Sequence, residues 1–293
     1  MFAILGATGK AGRASIKRLR AADKPVRAVM RDAARAEEFI AMGCETAIAD
    51  HRDAASLRAA LAGATAVQAI IPMSVAVEDA VADMDAMIDN VAAAIEDARP
   101  ETVLAISDYG AQNPTGTGLT LTFHRIEQRF GALSANLIFL RSAEHMQNWA
   151  RQFAIAAKSG VMTTLHHPLT KIFPTVSAAD VGDAGAELLM APQSSSPRIV
   201  HIEGPRRYTP LEIANAASAA LGRAIEMREL PRDQWLQTFA HAGMSASYAK
   251  LVEELYDTHN AGGIEVEEGG EARRGATELA DVFASLAAAV SRA

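Results

Sequence analysis

Three glycines, an arginine at the end of an apolar run and a serine at the end of another are the residues whose types and spacing could do chemistry in this chain. Gly6, Gly9 and Gly12 stand in the order Gly6-Ala7-Thr8-Gly9-Lys10-Ala11-Gly12. Glycine lacks the Cβ that would hold a pyrophosphate away. A helix beginning near Lys10 would turn unpaired N–H groups and the positive end of its dipole toward that anion. The spacing differs by one residue from the dinucleotide-binding G-x-G-x-x-G pattern. A P-loop is the rival phosphate cradle, but Ala11 stands where a Ser or Thr must reach Mg²⁺, so that reading is set aside.

The elements needed to position these residues are readable around them. Phe2 to Leu5 is apolar without alternation, as a central parallel strand covered on both faces requires. Ile16 and Leu19 follow at helical spacing, and Val26 to Met30 is a second apolar run, so strand, glycine turn, helix and strand arrive as one βαβ unit. A carboxylate at the end of the second strand would bind the 2′-hydroxyl of NAD. Here Arg31 comes first and Asp32 after it, which suits a 2′-phosphate and predicts NADP, with NADPH preferred over NADH.

The strand–helix alternation continues. A helix is expected from Ala33 to Met42 with Phe39 and Ile40 buried and Gly43 closing it. Further strands are expected at Glu45 to Ala49, Ala66 to Ile71, Thr102 to Ile106 and Asn136 to Leu140, with Pro72 ending the second of these. Asp50, Ile71 to Met73 and Ser107 to Gly110 then lie at carboxyl ends of parallel strands, outside which ligands of doubly wound sheets bind. Asp53 is the expected cap of the next helix, which leaves Asp50 free for a ligand. Met146 and Trp149 sit at helical spacing and read as core or as the wall of a pocket for a flat substrate. His166 and His167 are adjacent on an extended segment and point to opposite sides, so no metal site is expected. Beyond Val161 the rhythm loosens. A helix from Ser177 to Met190 and a strand from Ile199 to Ile202 are expected to return to the main sheet. Thr209-Pro210-Leu211-Glu212 is a capping box closed by Gly222. Helices are expected near 233–242, 247–258 and 277–291, and Gly262 to Gly275 reads as a loop.

Composition bounds the rest. A chain of 293 residues, 49% hydrophobic, buries a large core without disulfides, and its lone Cys44 fits a reducing, cytoplasmic setting. The N-terminal apolar run is far too short to span a membrane. A net charge of −7 and 5% aromatic residues argue against nucleic-acid binding. Residues 1–40 nevertheless carry nine Lys/Arg against four Asp/Glu, a surplus suited to an anionic cofactor. Between Glu78 and Glu101 eight acids meet one base, which reads as a solvated helix face.

Ile4 to Gly12, with Arg27-Ala28-Val29-Met30-Arg31-Asp32 after it, resembles the NmrA-like NAD(P)-binding family, a branch of the atypical short-chain dehydrogenases. Asp50, Ile70-Ile71-Pro72, Ser107 and Asp180-Val181-Gly182 extend the resemblance along the chain. It implies a doubly wound α/β sheet of the Rossmann type over residues 1–155 and a smaller, mainly helical lobe over 156–293, with 177–202 packing back on the sheet. It also implies that Gly6, Ala7, Thr8, Gly9, Lys10, Ala11, Gly12 and Arg31 hold the cofactor and that Asp50 meets the adenine amino group. Ile71, Pro72, Met73 and Ser107 would lie along the nicotinamide side. The family includes quinone, azo-dye and triphenylmethane reductases, as well as redox sensors without chemistry. The expected function is NADPH-dependent reduction of a small aromatic or quinone-like acceptor, and the alternative is an NADP(H)-binding sensor.

The catalytic expectation departs from the usual dehydrogenase pattern. Tyr109 is followed four residues later by Asn113 rather than lysine, so the usual tyrosine–lysine pair is absent. Reductase-like members carry a histidine or lysine four residues before a glutamate. Here the glutamate is Glu127 and that position holds Phe123, with His124 one residue on, about 100° round the helix. Ser107, Tyr109 and His124 are therefore the candidate donors of a hydrogen bond or proton.

Overall fold

The structure is a computed structural model that describes residues 1–192, 195–264, 266–267 and 269–290. Its first half alternates strand and helix without exception: β1 (Phe2–Leu5), α1 (Lys10–Ala21), β2 (Val26–Met30), α2 (Ala36–Ala41), β3 (Glu45–Ile48), α3 (Ala54–Leu61), β4 (Ala66–Ala69), α4 (Ala80–Ala98), β5 (Thr102–Asp108), α5 (Thr120–Gly131) and β6 (Asn136–Ser142). The second half continues with β7 (Glu144–His145), α6 (Ala150–Ser159), β8 (Val161–Thr164), β9 (Thr175–Val176), α7 (Ala178–Met190), β10 (Arg198–Glu203), α8 (Pro210–Leu221), β11 (Glu226–Glu229), α9 (Trp235–His241), α10 (Ala246–Asn260), β12 (Glu271–Arg274) and α11 (Leu279–Val290).

Eight strands form one parallel sheet in the order β12-β10-β6-β5-β4-β1-β2-β3, a doubly wound Rossmann arrangement whose order reverses between β1 and β4. The apolar character of β1 is explained by burial on both faces. Leu57, Met84, Val91, Ile95 and Phe130 from α3, α4 and α5 pack over one face. Ile16, Leu19, Phe39, Val181 and Leu188 from α1, α2 and α7 cover the other. As expected from the capping box, the Thr209 hydroxyl accepts from the Glu212 N–H at the start of α8, and Gly222 closes that helix in the left-handed region. Segment 177–202 packs on the main sheet: α7 lies against α1, and β10 pairs with β6 in parallel.

Three expectations are corrected. The 262–275 segment contains an edge strand, because β12 pairs in parallel with β10. Its Glu-Ala-Arg-Arg sequence has no apolar alternation to reveal it. Its charges are instead satisfied across the edge, Glu271 with Arg198 at 2.7 Å and Arg274 with Glu203 at 2.6 Å, which also discourages pairing with another chain. Ile40 is 59% exposed, because α2 buries only Phe39. The acidic face of α4 is paired as well as solvated: Asp83 meets Arg52 at 2.6 Å, Asp85 meets Arg125 at 2.5 Å, and Asp89 and Glu96 both meet Arg129.

Helices α1 and α7 approach so closely that a Cβ on Gly182 would lie 2.1 Å from the Ala11 carbonyl oxygen and 2.7 Å from the Ala14 Cβ. The Ser15 hydroxyl donates to the Gly182 carbonyl across this contact at 2.8 Å. Asp180, two residues earlier, accepts from the Thr277 N–H at 2.9 Å and hydroxyl at 2.6 Å, tying the start of α7 to the chain before α11. Gly182→Ala should therefore cost about 1–3 kcal/mol, as overpacking against backbone does. Urea denaturation checks this, with far-ultraviolet circular dichroism expected to stay native.

Candidate active site

The βα turn after β1 is built by backbone constraints. Gly6 has φ +71°, and a Cβ there would press on Ile70 at 3.1 Å. Gly12 lets the first turn of α1 fold over Gly6, whose carbonyl oxygen would lie 2.4 Å from an added Cβ. Gly9 differs: its φ of −71° suits any residue, and an added Cβ would meet only the Gly6 oxygen, at 3.2 Å. Neither strain nor interior packing requires a glycine at that position, so its missing Cβ faces the space in front of the helix.

Helix α1 has no side-chain cap and no acid in its first turn. By contrast α3, α4, α7, α8 and α10, which like α1 start from an extended N-cap residue, are capped by Asp53, Asp79, Ser177, Thr209 and Ser245, whereas the other uncapped helices α2, α5, α6 and α9 start from a residue already helical. The N–H groups at the start of α1 are thus left for an anion, and the residues present fit a dinucleotide pyrophosphate.

Arg31 is exposed at the end of β2, two residues beyond Val29, whose carbonyl accepts from the Ala7 N–H at 3.2 Å and so ties the turn to that strand. Asp53 caps α3 as expected, accepting from the N–H groups of Ala55 and Ser56. One oxygen of Asp50 accepts from the Arg52 N–H at 2.9 Å. Beside Asp50, His51 is 6% exposed with Nε2 3.1 Å from the Ile70 carbonyl oxygen, and burial lowers its pKa.

A cleft of about 310 Å³ opens beyond the ends of β4, β5 and β6. Ile70, Ile71, Met73, Ser107 and Asp108 form its sheet side, Phe123 comes from α5, and Ser142 to His145 follow β6. Tyr248, Leu255, Tyr256 and His259 of α10 close it opposite the sheet. The loop before α5 makes this closure possible. Gly118, at φ +55°, runs so near α10 that a Cβ would lie 2.2 Å from the Leu251 carbonyl oxygen, and the Leu119 N–H donates to that oxygen at 3.0 Å. Ile70 touches Gly6, so cleft and turn are contiguous.

Beneath the cleft lies a buried charge network. The Arg141 guanidinium grips Glu127 with Nε to Oε1 at 2.8 Å and Nη2 to Oε2 at 2.7 Å, and their side chains are 4% and 9% exposed. Ser107 donates its hydroxyl proton to the same Glu127 Oε1 at 2.6 Å, and Glu267 adds a second carboxylate to Arg141 at 2.6 Å. β5, α5 and β6 are thereby locked together below the cleft floor.

The profile of the NmrA-like family matches residues 1–280. The chain belongs to the NmrA-like family. It is 26% identical over 257 residues to the NAD(P)H azoreductase of Xenophilus azovorans, covering 87% of this chain and 86% of that protein. The Citrobacter sp. triphenylmethane reductase complexed with NADP(H) shares the fold with a TM-score of 0.79 at 19% identity, over 98% of this chain and 99% of that one. The NADPH-dependent quinone oxidoreductase of Escherichia coli complexed with NADPH also has a TM-score of 0.79, at 20% identity over 98% and 99% of the two chains.

Within this NmrA-like fold, Ile71, Met73, Ser107 and Tyr109 line the cleft, whereas Pro72 and His124 are absent from its lining. The hydroxyl proton of Ser107 is engaged by Glu127. Tyr109 is 4% exposed and packs edge-on against His201 at 5.6 Å. Burial and Glu203 push its phenol above the ordinary range, opposite to the shift that would ready it as an acid. His124 sets Nδ1 2.8 Å from the Ala111 carbonyl oxygen, while Phe123, its neighbour, faces the cleft. Met146 and Trp149 belong to a separate core with Phe153 and Phe283. His166 and His167 do diverge, Nε2 of the first lying 2.9 Å from Glu144 and Nδ1 of the second 3.1 Å from Glu229.

Sequence reasoning placed Glu144 and His145 in the stretch after the sixth strand that the family resemblance assigns to the pocket, but did not single out Asp108, Tyr256 and His259. Asp108 was adjacent to a chosen residue, and its strand-end position was the available signal; the others converge from β7 and α10. Within the buried network, Arg141→Met should cost about 3–5 kcal/mol by stranding Glu127. The double variant Arg141→Met, Glu127→Met should recover most of it. Urea midpoints of both variants and the parent measure the difference.

Proposed function

We propose that this protein is an NADPH-dependent reductase of small aromatic or quinone-like acceptors. The carrying observation is the cleft contiguous with the uncapped helix turn, of a size suited to a nicotinamide face and a flat second ring. The azoreductase, triphenylmethane reductase and quinone oxidoreductase relatives support the same class. Gly6, Ala7, Thr8, Gly9, Lys10, Ala11 and Gly12 would hold the pyrophosphate. Arg31 would meet the 2′-phosphate and Asp50 the adenine. Ile71, Pro72, Met73 and Ser107 would flank the nicotinamide ribose and ring. When bound, the dinucleotide supplies the hydride. The chain's part is to fix the acceptor between sheet and α10, keep water from the transfer, and stabilise charge appearing on the acceptor.

Two of the cofactor assignments make different demands. Titration should show tighter binding of NADPH than of NADH, and Arg31→Ala should remove about tenfold or more of that preference, about 1.4 kcal/mol. Equal affinities in the parent protein would refute the arginine's role. Gly9→Val should abolish binding while circular dichroism stays native, because its branched side chain enters the phosphate space rather than the core.

The activity itself is tested by following NADPH oxidation against a panel of quinones, azo dyes and small carbonyl compounds. Ser107→Ala, Tyr109→Phe and His124→Ala accompany the parent. A loss of tenfold or more, about 1.4 kcal/mol of transition-state stabilisation, identifies a donor among them. Tight NADPH binding without oxidation of any acceptor would reject the reductase in favour of a cofactor-binding sensor.

A further inference from the structure

We infer that Asp108 is the proton donor of the cleft, serving acceptors such as carbonyl, quinone or azo groups that leave a basic oxygen or nitrogen after hydride addition. This rests on the reductase reading above and names a residue outside the three candidates drawn from sequence. Asp108 ends β5 immediately after Ser107 and lines the cleft. One carboxyl oxygen is 2.5 Å from the Thr120 hydroxyl on α5, and the Tyr109 N–H points at the same group. Part of its surface stays open to the cleft while protein surrounds the rest.

The other ionisable groups of the cleft are poorly suited. Glu144 already faces the His166 imidazole at 2.9 Å. His166 is itself stacked on Phe173 at 3.7 Å and edge-on to Tyr256 at 5.0 Å. His259 is pulled down to about 4 by burial and the nearby His166, and burial lowers His145 as well, so neither holds an extra proton at neutral pH. Burial raises Tyr248 and Tyr256, which makes them reluctant donors. Unlike the two imidazoles, Asp108 is pushed up, to about 7, by burial first and by Glu144 last, against the opposing hydrogen bond from Thr120. Two carboxyls in one cleft are thus held in different environments, a recurrent way to obtain an acid at neutral pH.

The step balances simply. Hydride supplied by NADPH adds to one end of the acceptor double bond, and the electron pair of that bond moves to the oxygen or nitrogen. Asp108 gives its carboxyl proton to that atom, forming O–H or N–H, and the carboxylate left behind regains a proton from water at the cleft mouth. The groups facing Asp108 during this cycle are Thr120 of α5, Glu144 of β7 and Tyr256 of α10.

The test compares Asp108→Asn and Asp108→Glu with the parent on two acceptor classes. One is an azo or quinone compound, which needs hydride and a proton. The other is a triarylmethyl cation, which needs hydride alone. Expected for Asp108→Asn is a tenfold or greater loss of kcat on the first class only, with unchanged NADPH affinity and partial rescue in Asp108→Glu. The parent's kcat on the first class should fall as pH rises through about 7, where the acid form is lost, and that inflection should vanish in Asp108→Asn.

Stability gives a readout independent of turnover. The folded carboxyl holds its proton where the unfolded one has lost it, so this group makes the parent's melting temperature decline from pH 4 toward pH 7, and Asp108→Asn should flatten that decline. Equal loss on both acceptor classes, no loss on either, or an unaltered melting profile would overturn the assignment. A parent that binds NADPH and reduces neither class would overturn the reductase reading, and the proton donor with it.

Discussion

The closeness of α1 to everything around its first turn is the constraint on which the rest of this structure depends. Gly12 allows the helix to fold over Gly6, and Gly182 allows α7 to lie against Ala11 and Ala14. A methyl group at either position would overlap a backbone carbonyl oxygen. The consequence reaches in both directions. Toward the solvent, the approach presents an uncapped helix end at the carboxyl end of β1. Toward the interior, it lets α7 cover the central strands, so that β10 can extend the sheet beside β6. A segment distant in sequence thereby becomes part of the dinucleotide fold, and Asp180 couples it to the segment entering α11 through Thr277.

The cleft obeys an electrostatic constraint of comparable weight. Arg141 is almost fully buried at the end of β6 and would be untenable without the bidentate Glu127 and the further carboxylate of Glu267. Meeting that demand consumes the hydroxyl proton of Ser107, so the serine best placed by strand position is drawn into holding the floor. One residue further along β5, burial acts on the Asp108 carboxyl and favours its neutral form.

Sequence alone determined the features whose causes are local. An apolar run with no alternation set β1 in the interior, and side-chain caps at Asp53 and Thr209 marked where α3 and α8 begin. The glycine turn was readable too, because the lack of a Cβ at Gly6, Gly9 and Gly12 is a property of the residues themselves. The order of these elements then followed the few connections that parallel strands allow, which is why the doubly wound sheet could be anticipated.

Tertiary structure alone decided which side chains meet. Edge strand β12 carries no apolar pattern and exists through pairing with β10 and ion pairs to Arg198 and Glu203. The rotation of α5 turned Phe123 to the cleft and His124 toward the Ala111 carbonyl, a difference of one helical position that spacing along the chain cannot fix. Asp108, Glu144, Tyr256 and His259 come from β5, β7 and α10, separated by up to 151 residues, and converge because the loop at Gly118 lets α10 close over the sheet. Their protonation behaviour belongs to that enclosure. Burial and neighbouring charge, which shift a carboxyl upward and an imidazole downward, are properties of the assembled cleft and have no signature in the order of the residues.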